Sequence, residues 1–276
     1  MNPDELADIR VIATSIADAA GAHALSGFRT GARIEKKGEI DLVTRYDREC
    51  EELIRERLAA AFPSHRIVGE EGEPQGEGEL VWFVDPIDGT TNFAHGLPYF
   101  CVSIGLFRGS EPLVGAIAAP ALGITWSSHR GGVTTRNGET CAVASSSSLG
   151  DALVATGFAY DRWNATDDNL GEHDRFVKAT RGVRRCGAAA LDLAFVADGT
   201  FDGYWEQNLK AWDIAAGMVL VLGSGGVVSD YVGAPTTPEA GQIVAASSSI
   251  HGEVLRLLGE ARDERGLPRA GVRRDR

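Results

Sequence analysis

The apolar run LVWFV at residues 80–84 ends in two acids, reading DPIDGTTNF over residues 85–93. Such a run predicts a buried strand, with Asp85 at its C-terminal end. Pro86 has no N–H to continue a ladder and fixes its own φ, so strand pairing must stop there. The Ile87 carbonyl is then free to face a ligand. Asp88 opens a turn, Gly89 allows a ligand close to the backbone, and TTNF can begin a helix whose first N–H groups lack intrahelical partners. Nine residues therefore offer three oxygen donors beside N–H groups suited to phosphate. Oxygen donors at this density suit a hard cation such as Mg2+. An acid-rich helix cap after a strand would read the same way; the two aspartates together, next to a Gly-Thr turn, favour a metal site.

Further acids fall at comparable joints. VGEEG places Glu70 and Glu71 at the end of another short apolar stretch, DLVTRYD spaces Asp41 and Asp47 across a strand-to-helix joint, and Asp213 follows Trp212 at a helix start. Capping explains Asp213 equally well, and a first-turn acid favoured by the helix dipole explains Asp47. Nothing local shows that these distant groups meet. The overall balance of 27 basic against 39 acidic residues gives a net charge of −12, which makes the chain a poor general partner for nucleic acid or other polyanions. A phosphorylated ligand would need positive charge supplied locally, and metal ions are the natural source.

The 276 residues, 43% hydrophobic, are ample for a sizeable core. The four cysteines are scattered without a CxxC pair, so neither a zinc site nor a disulfide framework is expected. No window approaches 18 uninterrupted apolar residues, and MNPDELADIR lacks a basic-then-apolar leader pattern. These features predict a reduced, cytoplasmic protein that does not associate with membranes.

Along the chain, Leu6, Ile9, Ile12, Ala13 and Ile16 recur at helical spacing within 4–27, and 47–61 reads as a second helix closed by Pro63. Between them, 31–46 suggests a turn or hairpin. The stretch 71–79 is rich in Gly and Glu and should be an exposed, mobile loop. From 99 to 132, β-branched apolar runs alternate with glycine turns, as in an antiparallel sheet. SSSSLG (145–150) suits a joint between lobes of about 5–145 and 146–262. The second half alternates strand and helix: strands at 152–158, 201–207 and 243–250, helices at 168–180, 188–199, 212–226 and about 251–261, and a strand or turn at 182–187. The fold class is thus α+β with an α/β second half. The polar stretch 263–276 reads as a flexible, solvated tail.

Taken together, DLVTRYD (41–47), GEE (69–71), DPIDGTTNF (85–93) and WDIAAG (212–217) occur in an order that resembles the inositol monophosphatase family, within the Mg2+-dependent, lithium-sensitive phosphatases. Supporting stretches include GLPYFCVSIGL, LVATGF and GAAALDLAFVADGTFDGYWE, so the resemblance spans roughly residues 5–260. It implies a single domain over 5–262, built as a layered α-β-α-β-α sandwich of the inositol monophosphatase/fructose bisphosphatase type, and a homodimer. It implies two or three Mg2+ ions, with Mn2+ a possible substitute. Glu70, Asp85 and the Ile87 carbonyl match ligands of a first metal. Asp85, Asp88 and Asp213 match those of a second, with Asp85 bridging. Thr90 and Asp47 match the pair that orients and deprotonates water beside Glu70. Gly89 and Thr90 match phosphate-holding N–H groups, Glu206 matches a ligand of polyol hydroxyls, and Gly187, Ala188 and Ala189 match backbone lining the substrate pocket. Lys36 falls where the family carries a loop that closes on the metals, and His95, just outside a motif, reads as structural.

This chain departs from the family's common pattern at Cys186, Ala188, Ala211 and the GSGG at 223–226. None is a matched metal ligand, but 186–189 lines the pocket, so substrate choice transfers least securely. The implied activity is hydrolysis of inositol-1-phosphate or a similar polyol monophosphate by in-line attack of water. Alternatives are the same chemistry on histidinol phosphate, a sugar bisphosphate or 3′-phosphoadenosine 5′-phosphate, or a regulatory protein that keeps the fold.

Overall fold

A computed structural model of the chain describes residues 1–30, 34–36 and 42–270. Asp41, the side chain of Lys36 and the segment beyond 270 lie outside the described residues. Helix α1 (Pro3–Gly27) begins with a reciprocal cap, Asn2 Oδ1 accepting from the Glu5 N–H while Glu5 accepts from the Asn2 N–H. The hairpin strands β1 (Ile34–Lys36) and β2 (Leu42–Thr44) pair antiparallel. Thr44 then caps α2 (Arg45–Ala61), and Asp47 at the third helical position closes that box.

The first sheet has seven strands in sequential order: β3 (Arg66–Gly69), β4 (Leu80–Asp88), β5 (Cys101–Arg108), β6 (Glu111–Ala119), β7 (Ile124–His129), β8 (Thr135–Arg136) and β9 (Glu139–Thr140). Only β3 and β4 are parallel; every later pair is antiparallel. The short helix α3 (Thr90–His95) separates β4 from β5. The second sheet is mixed, in the order β11 (Gly182–Arg184), β10 (Leu153–Thr156), β12 (Gly203–Gln207), β14 (Gln242–Ala246), β13 (Val227–Ser229). Its helices are α4 (Leu170–Ala179), α5 (Ala189–Ala197), α6 (Ala211–Gly223) and α7 (His251–Glu264). The short strands β8, β9 and β13 carry too little apolar pattern to be anticipated.

Strand alternation decides the layers. Trp82 and Val84 face α1 and α2, whereas Phe83 faces the opposite way, into the cluster that includes α5 and α6. In the second sheet Ala155, Tyr204 and Ala245 face that same middle cluster, while Val154, Trp205 and Val244 face α4 and α7. A period of two allows nothing else once both faces of a sheet are covered. The result is a five-layer sandwich: α1 and α2, the seven-stranded sheet, α5 and α6, the five-stranded sheet, then α4 and α7. Helices α5 and α6 are apolar around nearly their whole circumference, as a central layer requires. Gly105 and Gly115 let α6 lie almost on the first sheet, since a Cβ at either would come within 2.7 Å of the Ala216 backbone. The C-terminal ends of β4 and β12 and the N-terminal ends of α3, α5 and α6 converge around one cavity.

Candidate active site

Strand β4 behaves as its sequence requires. The ladder with β5 pairs Asp85 with Ser103, skips Pro86 and Ile87, and resumes at Asp88 with Cys101. In the gap, the Ile87 N–H donates to Asp85 Oδ1 at 3.0 Å, and its carbonyl lies outside the ladder. Gly89 follows at φ 92°, a left-handed conformation that suits glycine. A side chain there would also press on the Tyr99 carbonyl and Ala188. Thr90, the first residue of α3, has its hydroxyl 3.0 Å from both Asp47 Oδ1 and the Ile87 carbonyl. One proton cannot serve both fully; the charged Asp47 is the stronger acceptor.

Asp47 is completely buried. Its other oxygen accepts from the Thr44 N–H at 2.8 Å and the Thr44 hydroxyl at 2.6 Å. The capping reading and the catalytic reading of Asp47 therefore describe its two oxygens. Asp213 repeats the device at α6: Oδ2 accepts from the Lys210 N–H at 2.7 Å. Asp88 Oδ2 accepts from the Ala190 N–H at 2.7 Å, at the first turn of α5. In Asp85 and Asp213 the other oxygen accepts no hydrogen bond from the described residues.

These groups line one cavity of about 510 Å3 together with Glu70, Ile87, Gly89, Thr90, Gly187, Ala188, Ala189 and Glu206. Asp47 stands behind Thr90. Four acid-bearing segments distant in sequence are thus brought together. Burial, then the charges of Glu70, Asp88, Asp213 and Asp47, push the Asp85 carboxyl well above its usual range. Asp213 is raised by burial and by Asp88, and burial lifts Asp88 to about 6 against the opposing pull of its backbone donors. No three His, Cys, Asp or Glu side chains among the described residues close into a ready ion cage. The donors are oxygens throughout, pointed into one cavity, and lack a basic side chain bonded to Asp85, Asp88 or Asp213 among the described residues. That set fits a hard divalent cation.

Glu206 sits on β12 across the cavity, 8% exposed, accepting from the Tyr204 hydroxyl. Burial raises its carboxyl to about 7, with Tyr204 and Arg185 pulling the other way. Gly157 is tight beneath it, since a Cβ there would fall 1.9 Å from Glu206 Oε2. The segment Gly187–Ala189 is placed by Asn92, whose amide donates to the Tyr99 carbonyl at 2.7 Å and the Cys186 carbonyl at 2.9 Å.

Sequence reading missed several residues that shape this site. Glu51, on α2, accepts from the Glu71 N–H at 2.7 Å, the Gly72 N–H at 2.8 Å and Arg55 at 2.7 Å, so it shapes the turn that carries Glu70. Asp192 accepts from the Tyr99 hydroxyl at 2.5 Å beside the pocket. The loop Phe158–Arg162 forms the far wall of the cavity, and Phe158, expected in a strand over 152–158, lies beyond the end of β10 at Thr156. Asn92 could have been suspected from its position inside DPIDGTTNF. The others carry no local signal. His95 is exposed at the end of α3.

The family model described as the inositol monophosphatase family matches residues 5–263. A relative from Synechocystis sp. named inositol-1-monophosphatase is 40% identical over 260 residues, covering 93% of this chain and 91% of that protein. A Pseudomonas aeruginosa relative named Nus factor SuhB is 40% identical over 231 residues, covering 82% and 85%. The solved structure of an inositol monophosphatase from Anabaena (Nostoc) sp. superposes with a TM-score of 0.86 at 39% identity, covering 93% of this chain and 97% of the other. The chain belongs to the inositol monophosphatase family, a family of phosphoric monoester hydrolases, and has that family's layered α-β-α-β-α fold.

Proposed function

We propose that the chain is a Mg2+-dependent hydrolase of inositol-1-phosphate or a similar polyol monophosphate. The observation that carries this reading is the juxtaposition of Glu70, Asp85, Asp88 and Asp213 with the Thr90–Asp47 pair at the floor of one cavity, opposite Glu206. Glu70, Asp85, the Ile87 carbonyl, Asp88 and Asp213 would hold two or three divalent ions, Mg2+ or in its place Mn2+. Bound there, the ions supply positive charge that offsets the carboxylates, acidifies water and stabilises the charge of phosphoryl transfer. Thr90 orients the attacking water through its hydroxyl, and Asp47, fixed by Thr44, takes the proton that passes along this pair. The N–H groups of Gly89 and Thr90 hold phosphoryl oxygens. Glu206 accepts from polyol hydroxyls, and the backbone of Gly187, Ala188 and Ala189 sets the width of the pocket beside it.

We further propose that the protein is cytoplasmic and, as its family resemblance implies, lithium-sensitive and homodimeric. All four cysteines are free, which suits a reducing compartment, and no helix among the described residues is long and apolar enough to cross a membrane. The name of the Pseudomonas relative supports testing a partner-binding role alongside hydrolysis. Asp85→Asn separates the two, since it should abolish hydrolysis while sparing a purely partner-binding role: phosphate release from inositol-1-phosphate, histidinol phosphate, a sugar bisphosphate and 3′-phosphoadenosine 5′-phosphate is measured for the wild type and the variant. The wild type should prefer the polyol monophosphate, and the variant should lose at least about a hundredfold in kcat. Equal turnover by the variant refutes the metal-site reading.

A further inference from the structure

The wall of the cavity opposite the acids is a loop, Gly157–Arg162, between β10 and α4. It has no strand or helix of its own, yet its ends are fastened with unusual density. At the mouth, Asn169 is 2% exposed and held at φ 65° as it caps α4. Its amide donates to the Gly157 carbonyl at 2.7 Å and to the Thr156 hydroxyl at 2.8 Å, and its oxygen accepts from Trp205 Nε1 at 2.9 Å. The start of α4 is thereby tied back to Gly157, the first residue of the loop.

The returning leg is bolted to the C-terminal helix. Asp167 accepts from Arg262 through both terminal guanidinium nitrogens, Nη1 at 3.0 Å and Nη2 at 2.7 Å, and from the Gln207 amide at 2.6 Å. Arg262 also donates to Glu172 at 2.8 Å, stands over the Tyr231 ring at 5.5 Å, and has no exposed surface at all. Beside it, Arg265 donates to Asp168 at 2.6 Å and to the Thr166 carbonyl at 2.6 Å. A buried arginine forked onto a carboxylate is a directional fastening that a lysine cannot reproduce. Gln207, in the same network, immediately follows Glu206 on β12.

We propose that Arg262 and Arg265 are positioning residues for the substrate wall: they hold Gly157–Arg162 at the distance from Glu206 that the polyol end of the substrate requires. The floor that meets the phosphate is built on β4, α3 and α6, elements the clamp does not touch. The clamp therefore acts on how a large alcohol group is bound and leaves the transfer step alone. This inference rests on the hydrolase reading given above.

The test compares inositol-1-phosphate with methyl phosphate, whose alcohol is too small to reach the wall. Arg262→Met removes the buried cation that faces Asp167 and Glu172 and can fail to fold, so it is made together with Asp167→Asn and Glu172→Gln; Arg265→Met and Arg262→Lys are made singly. KM for inositol-1-phosphate should rise roughly tenfold in the triple variant and roughly threefold in Arg265→Met and Arg262→Lys. In all three, kcat should stay within about twofold, and kcat/KM for methyl phosphate should be unchanged. Amide hydrogen exchange over 158–166 should accelerate in each variant while exchange in β4 does not. Equal losses on both esters, an unchanged KM in folded variants, or unchanged exchange in 158–166 overturns the proposal. A wild-type protein that hydrolyses neither ester overturns the hydrolase reading, and the exchange experiment then decides the clamp on its own.

Discussion

Replacing Glu206 by glutamine should make the protein more stable and a poorer enzyme. The Glu206 carboxyl is nearly fully enclosed, and burial lifts it from an ordinary 4.5 to about 7. A group whose folded pKa is raised keeps its proton in the native state after the unfolded chain has released it. Between about pH 4.5 and 7 the native state therefore binds more protons, and stability falls as pH rises through that window. Each pH unit of displacement is worth about 1.4 kcal/mol; above pH 7 the buried charge costs on the order of 3 kcal/mol. Glutamine keeps the shape and can still accept from Tyr204, so Glu206→Gln should recover most of that at pH 8 and nothing at pH 4.5. For a chain of this size the gain corresponds to roughly 5–10 °C in Tm. The assay is thermal unfolding of both proteins in EDTA at half-unit steps from pH 4.5 to 8; the difference curve cancels the carboxylates remote from Glu206 and leaves its own titration with that of Asp88, Asp192 and Asp213, which interact with its charge. A constant difference across the series, or a variant less stable at pH 8, would show that Glu206 is satisfied as an anion and refute the reasoning. In parallel, KM for a polyol phosphate should rise.

Two further predictions concern the same cavity. Gly157→Ala places a methyl 1.9 Å from the Glu206 carboxylate, so it should displace that side chain and raise KM for inositol-1-phosphate with kcat largely retained; steady-state kinetics with unchanged KM would contradict it. Mg2+ at a hundredfold excess over its Kd should stabilise the wild type by about 2.7 kcal/mol relative to EDTA, and Asp85→Asn should lose most of that gain, as read by Tm.

What the sequence disclosed was what local chemistry records. The run into Asp85 announced a buried strand, Pro86 its interruption, and Gly89 the turn, because each follows from covalent constraints on one or two residues. The alternation of Trp82 with Phe83 and of Tyr204 with Trp205 fixes which face points where, but not which layer waits there. Strand order in the second sheet could not be read, since β10 pairs with β11 at a separation of 29 residues, as Leu153 with Gly182, and with β12 at a separation of 49, as Val154 with Gly203. The cradle around Glu70 was hidden for the same reason: Glu51 and Arg55 look like the solvated face of α2, and only the return of Glu71 and Gly72 gives them a task. Arg262 shows the limit most sharply. It borders an arginine-rich polar stretch that reads as a solvated end, yet it is fully enclosed by Asp167, Glu172 and Tyr231, some 30 to 95 positions away.

The interrupted ladder of β4 divides labour within the cavity. Asp85 and Asp88 continue an interior strand just past its last β3 partner, Val84, and are paired with Ser103 and Cys101 of β5, so their positions are tied to the ladders of the sheet. The opposite bank is irregular chain fastened by side chains, which can be lengthened, shortened or recomposed without disturbing a single sheet hydrogen bond. Reaction chemistry is thereby placed on the part of the molecule least able to drift, and the choice of alcohol on the part most free to diversify. Relatives that share the aspartates of this strand are accordingly expected to differ in substrate first at 157–169.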